Sequence, residues 1–218
     1  MSSVYASRRV FPLLILGFAS GLPLALTSGT LQAWATVDNV SLQSIGFLTL
    51  IGTAYTLKFL WAPLVDRYAP PLLGRRRGWM FLTQLLLAAG IAAMGLFSPA
   101  GNLGMLAALA VLVAFLSATQ DIAFDAYSTD VLRSEERAAG AAVKVLGYRL
   151  AMIVSGGLAL VLADQWLGWH NMYFLMGAFM AVCAVATVLA PEPEVVAAAP
   201  RSLAVAVVEP LREFFSRR

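Results

Sequence analysis

The sequence predicts an all-α membrane protein, a bundle of six transmembrane helices. Three observations lead there. Hydrophobic residues make up 60% of the 218-residue chain and charged ones only 12%, where a soluble domain carries about 25% charged residues to coat its surface. Apolar runs of about 20 residues, the length that crosses a bilayer, recur six times. The basic residues gather on alternate connections between those runs, as they do in multi-pass proteins.

The first run, Val10 to Val37, holds no formal charge. The second, Leu42 to Val65, is interrupted by Lys58, and the third, Trp79 to Phe97, is uncharged. The fourth, Leu103 to Tyr127, carries Asp121 and Asp125; the fifth, Ala138 to Ala163, carries Lys144 and Arg149; the sixth, Asn171 to Ala190, is uncharged. Residues 1–190 thus form the six-helix bundle. Pro191-Glu192-Pro193-Glu194 ends it, and residues 191–218 read as a linker. Within that linker Leu203, Val207, Leu211 and Phe214 or Phe215 recur near one helical face beside Arg201, Arg212, Arg217 and Arg218, the pattern of an amphipathic helix on the membrane surface or of the run-up to a further span.

An even number of spans places both termini on one side. Arg8 and Arg9, then Arg67 and Arg75 to Arg77, then Arg133 and Arg137, then the tail arginines all fall on that side, and the other three connections hold no Lys or Arg. The positive-inside rule makes this face cytoplasmic. Ser7-Arg8-Arg9-Val10-Phe11 also has the look of a twin-arginine export signal, but the apolar stretch behind it is long enough to span and five more follow. Cys183 is the single cysteine, so no disulfide forms within the chain. His170 is the single histidine, and no metal-ligand spacing or nucleophile–base cluster is present. An enzyme, a metal site, a cofactor and a nucleic-acid partner are therefore not expected.

Charges within spans are costly and default to functional candidates. Asp121 and Asp125 are four apart and share a helical face. Two carboxylates on one face disfavour double ionisation, which suits proton exchange near neutral pH. Counted from the loop between them, Asp125 lies level with Lys144, and Asp121 with Arg149. These are expected as ion pairs, either holding two helices together or exchanging a proton during transport. Lys58 either snorkels to the near interface or meets a substrate. In the first helix Gly17, Gly21, Ala25 and Gly29 make a small-residue stripe for close helix packing. Pro23 weakens the backbone ladder there, and Thr27 and Gln32 supply groups that could contact a ligand. The five tryptophans fall near helix ends, as an interfacial belt would.

Pro63-Leu64-Val65-Asp66-Arg67-Tyr68, followed by Gly74-Arg75-Arg76-Arg77-Gly78, resembles the G-x-L-A-D-R-x-G-R-R/K loop signature of the major facilitator superfamily. Ala62 replaces the first glycine, and residues 69–73 are inserted. The runs GFASGLPLALTSGTLQAW (17–34), KFLWAPLVDRY (58–68), GRRRGW (74–79), TQDIAFDAYSTDVL (119–132) and VLGYRLAMIVSGGLAL (145–160) look like the AmpG-type muropeptide permeases within it. The resemblance implies two six-helix bundles, of which this chain is similar to the N-terminal half, and a C-terminal half as partner. The abrupt stop after Phe214-Phe215-Ser216-Arg217-Arg218 reads as a cut from something longer. The resemblance further implies a proton-driven importer in the bacterial inner membrane. It would bring anhydro-muropeptides from periplasm to cytoplasm by alternating access, feeding cell-wall recycling and β-lactamase induction. On that reading Asp125, with Asp121 second, exchanges the proton. Lys58, Lys144, Arg149, Gln32, Thr27, Gln120 and Tyr148 serve the anionic, sugar-bearing substrate. Asp66, Arg67, Arg75, Arg76 and Arg77 form a cytoplasmic latch. The alternatives are a symporter for another sugar or peptide on the same scaffold, and a membrane scaffold that transports nothing.

Overall fold

The computed structural model describes residues 7–193, Arg212 and Ser216. The bundle expected over residues 1–190 falls almost wholly within them, whereas the amphipathic helix expected in the linker lies outside the described residues.

Helix α1 spans Pro12–Thr27 and α2 spans Gly29–Val37. Pro12 opens α1, where its missing N–H costs nothing. Pro23 lies inside it, and the helical path breaks at Ser28, with φ −121° and ψ −103°. The hydroxyls of Thr27 and Ser28 donate to the carbonyls of Pro23 and Leu24, at 2.9 and 2.6 Å. Such back-bonding bends a helix that proline has already weakened.

The second apolar run is not one helix. It divides into α3 (Leu42–Leu48), a 3₁₀ turn (Thr49–Gly52), α4 (Thr53–Leu57), a second 3₁₀ turn (Lys58–Leu60) and α5 (Ala62–Arg67). Thr49 and Thr53 donate to carbonyls three residues back, at 2.7 and 2.6 Å. Gly46 and Gly52 lower helix propensity, and Pro63 removes a donor. Helix α6 covers Arg75–Met94 and α7 covers Pro99–Val131, the latter capped by Ser98, whose hydroxyl accepts from the Gly101 N–H at 3.3 Å. Then come α8 (Arg137–Ile153), a π turn (Val154–Leu158), α9 (Ala159–Leu162), a second π turn (Ala163–Leu167) and α10 (Gly168–Leu189).

Among the described residues, four helical runs are long and apolar enough to cross a membrane: Pro12–Val37, Arg75–Met94, Pro99–Val131 and Ser134–Leu189. The last, of 56 residues, folds back at Gly168, whose φ of +72° is open to glycine. It accordingly supplies the fifth and sixth expected passes. The broken second run is not among the four, so four membrane-length runs stand where six spans were expected; the all-α class holds, and no strand occurs among the described residues. At one end Arg76 reaches Asp130, Arg77 reaches the Thr187 carbonyl, and Ser7 reaches Glu136. At the other end His170 meets the Gly95 carbonyl, and Asp38 accepts from the Ala100 N–H.

Close backbone approach joins α1 to α8. A Cβ on Gly17, Gly21 or Gly147 would stand 2.5, 2.6 or 2.1 Å from the carbonyl oxygens of Lys144, Tyr148 and Leu14. Along the expected stripe, Gly17 and Gly21 lie at backbone contact, whereas nothing lies within 4 Å of the Cβ position of Gly29. Trp34 is buried and stacked on Trp169, at 5.7 Å between ring centres. It therefore belongs to the core, unlike the exposed Trp166. Large apolar side chains such as Phe47, Phe59, Ile153, Val182 and Leu189 point outward, as a lipid-facing or subunit-facing surface requires.

Candidate functional site

Three passes converge on one carboxylate. Asp125 on α7 is ion-paired with Lys144 on α8 and stands 3.8 Å from Lys58 Nζ on the second pass. The level match between Asp125 and Lys144 expected from the sequence is thus realised. Lys58 joins them from the 3₁₀ turn at Lys58–Leu60, which packs against α7. One anion between two cations leaves a net positive charge, and the Asp125 side chain remains 55% exposed. The pair is therefore not sealed inside this bundle, as a buried structural bridge would be.

Lys144 is held by more than its carboxylate. Its Nζ lies 3.4 Å from the Ser128 hydroxyl and 4.8 Å from the centre of the Phe124 ring, a cation–π distance. A cleft of about 430 Å³ opens beside it, lined by Ser20, Phe124, Lys144, Tyr148, Arg149 and Met152 among others.

The second carboxylate behaves differently. Asp121 accepts a hydrogen bond from Ser20 on α1 at 2.5 Å; the ion pair with Arg149 expected from counting turns is not formed among the described residues. The reason is rotational. Arg149 follows Lys144 by five residues, which turns it about 140° around the helix, so it faces the cleft rim and not α7. Ser20 was missed as a partner of the carboxylates, although its place one turn from Gly17 and beside Gly21 put it on the face that meets neighbouring helices.

The other expected substrate residues are scattered. Tyr148 and Arg149 line the cleft with Lys144. Gln120 is buried, and its Oε1 has no hydrogen-bond partner among the described residues. Thr27 is buried, with its hydroxyl held by the Pro23 carbonyl. Gln32 is half-buried and lies about 18 Å farther along the α1–α2 run than Ser20, at 1.5 Å per residue, so it does not join the lysine cluster.

At the end with the basic loops, Arg76 bridges Asp66 at 2.6 Å and Asp130 at 3.1 Å. Asp130 completes this three-residue bridge between the loop and α7. Arg77 donates to the Val188 carbonyl at 2.6 Å and lies 3.9 Å from Glu192, tying the loop to the end of α10. The Arg67 guanidinium sits 5.8 Å from the Tyr68 ring centre, and Arg75 opens α6 beside Arg76. Two further ties escaped sequence reading. Tyr127 donates to the Pro191 carbonyl at 2.7 Å, and Glu136 gathers the Ser7 hydroxyl, the Arg133 N–H and Arg9.

Comparison with known proteins fits this geometry. Over 214 residues the chain is 62% identical to the Anhydromuropeptide permease of Escherichia coli (strain K12), covering 98% of this chain and 44% of that protein. It is 39% identical over 224 residues to an uncharacterized protein of Haemophilus influenzae, covering all of this chain and 52% of that one. A putative transporter AmpG 4 of Rickettsia felis is 30% identical over 226 residues, with 55% of its length covered. The chain thus spans about half the length of the curated relatives it matches. The profile of the Major Facilitator Superfamily matches residues 7–218, and with these relatives it establishes that the chain belongs to that superfamily.

Proposed function

We propose that this chain is the N-terminal half of a proton-driven importer that carries anhydro-muropeptides from periplasm to cytoplasm by alternating access. The name of the 62%-identical relative supports the substrate. Cell-wall recycling and β-lactamase induction would be its service to the cell. The observation that carries the mechanism is Asp125 held between Lys58 and Lys144 from neighbouring passes.

An ionised Asp125 occupies both lysines. A proton arriving from the outer side converts it to the neutral acid, which releases the ammonium groups. They are then free to hold a carboxylate of the solute's peptide. When the solute leaves inward, the proton departs and the Asp125–lysine pairs re-form. Proton and solute thereby move together, because the lysines are free to hold the solute's carboxylate only while Asp125 is neutral. The cleft between α1, α7 and α8 supplies room for the sugar, with Ser20 and Tyr148 as hydrogen-bonding groups. Asp66, Arg67 and Arg75 to Arg77 act as the inner latch, whose ion pairs break and re-form as the two halves rock.

The test uses right-side-out vesicles with an inward proton gradient and labelled anhydro-muropeptide, with the C-terminal six-helix half supplied. Asp125→Asn is expected to lose accumulation against a gradient while keeping downhill exchange. Accumulation at the wild-type level in Asp125→Asn refutes the mechanism.

A further inference from the structure

Lys144 borders two separate cavities. The cleft described above lies on the side of Phe124 and contains Arg149 and Tyr148. A second cavity, of about 250 Å³, lies one turn of α7 nearer the basic end and is lined by Ser128, Thr129, Leu132, Arg137, Ala141 and Lys144. Arg137 and Lys144 are seven residues apart, two turns on one face of α8 and about 10 Å in rise. Each cavity therefore has the shared ammonium and one arginine of its own. Neither Arg137 nor Arg149 is ion-paired with another described residue, and no carboxylate lines either cavity. Two cations at the border of one cavity are a donor set for a carboxylate. Lys144 is paired with Asp125 and lies between Phe124 on one side and Ser128 on the other, so that once Asp125 is neutral its ammonium can turn to either side.

We propose that α8 carries two successive carboxylate-binding stations that share Lys144, an outer one completed by Arg149 and an inner one completed by Arg137. An acidic solute passes between them by exchanging arginines while keeping the lysine. The inner station is thus an exit site in front of the basic end. This rests on the muropeptide reading above. Because one ammonium serves both, the stations compete for a single solute and are not filled independently.

The test places one reporter thiol in each cavity of the chain, in a Cys183→Ser background, reconstituted together with the C-terminal six-helix half in phosphatidylcholine nanodiscs: Ala141→Cys in the inner, Met152→Cys in the outer. The readout is the rate of labelling by a charged methanethiosulfonate. The probes are an anhydro-muropeptide with an acidic stem peptide and the same compound with its carboxylates amidated. With the acidic compound tenfold above its Kd and shared evenly, mass action slows both reporters about twofold. Adding Arg137→Gln should then abolish protection at Ala141→Cys and deepen protection at Met152→Cys to about sixfold. The amidated compound should protect neither. Protection at Ala141→Cys that Arg137→Gln leaves untouched, or protection confined to Met152→Cys, overturns the two-station inference and leaves the muropeptide reading standing. Protection at Ala141→Cys produced by phosphatidylglycerol without solute makes the inner cavity a lipid headgroup site and also overturns it. Protection of neither reporter removes the muropeptide reading itself, and the inference with it.

Discussion

Replacing Gly147 by alanine should destabilise the protein although alanine is the better helix former. The added Cβ would stand 2.1 Å from the Leu14 carbonyl oxygen and 3.0 Å from both the Leu14 carbonyl carbon and the Phe18 nitrogen. That is more than 1 Å short of the 3.4 Å at which ordinary contact begins. All three atoms are backbone, so no side-chain rotation relieves the clash. Helix α1 cannot retreat freely either, because its Ser20 is bonded to Asp121 and Thr30 of the following α2 to the Ser155 carbonyl. Overpacking of this kind costs about 1–3 kcal/mol or more, against a propensity gain of about 1 kcal/mol. Gly104→Ala on α7 is the control, since nothing lies within 4 Å of its Cβ position. Both alanines share the propensity gain, so their difference isolates the steric cost. Unfolding of the purified protein by dodecyl sulfate in mixed micelles, followed by circular dichroism, measures it. We expect Gly147→Ala to fall at least about 1 kcal/mol below Gly104→Ala. Equal stability of the two would refute the claim that α1 and α8 are held at backbone contact.

Three further outcomes follow from the geometry. Arg76→Gln leaves Asp66 and Asp130 facing each other without their cation; it should cost about 2 kcal/mol, below the 3–5 of a fully buried pair, and adding Asp130→Asn should restore part of it in the same unfolding assay. Thr30→Val strips the Ser155 carbonyl of its 2.6 Å hydrogen bond; a loss of about 1–2 kcal/mol is expected, and an unchanged unfolding curve would deny this bond a role in holding the π turn. Glu136→Gln keeps an acceptor for the Ser7 hydroxyl and the Arg133 N–H but removes the charge that faces Arg9; amide hydrogen exchange at Val10 and Phe11 should quicken if the charge anchors the N-terminal segment.

Much of the architecture was legible because a bilayer imposes simple conditions. A span must be apolar and about 20 residues long, so five of the six passes could be outlined within a few residues. The second could not, because hydrophobicity is blind to winding: the 3₁₀ turns at Thr49–Gly52 and Lys58–Leu60 arise from threonine hydroxyls and from packing against α7. Gly17 and Gly21 were read correctly as contacts and Gly29 was not, since four-residue spacing assumes a straight helix and Ser28 breaks it. Asp125 and Lys144 could be paired by counting turns. Asp121 could not be assigned to Ser20, which lies 101 residues away in sequence.

The sequence by itself determined the all-α membrane class and the arrangement of basic residues along the chain, because each depends on composition and on period along one chain. Only the tertiary structure decided that Lys58 joins Asp125, that Arg76 bridges two aspartates, and that Lys144 stands between two cavities. Those facts depend on the rotation and separation of neighbouring helices, set by backbone contact at Gly17, Gly21 and Gly147, and no single helix encodes them.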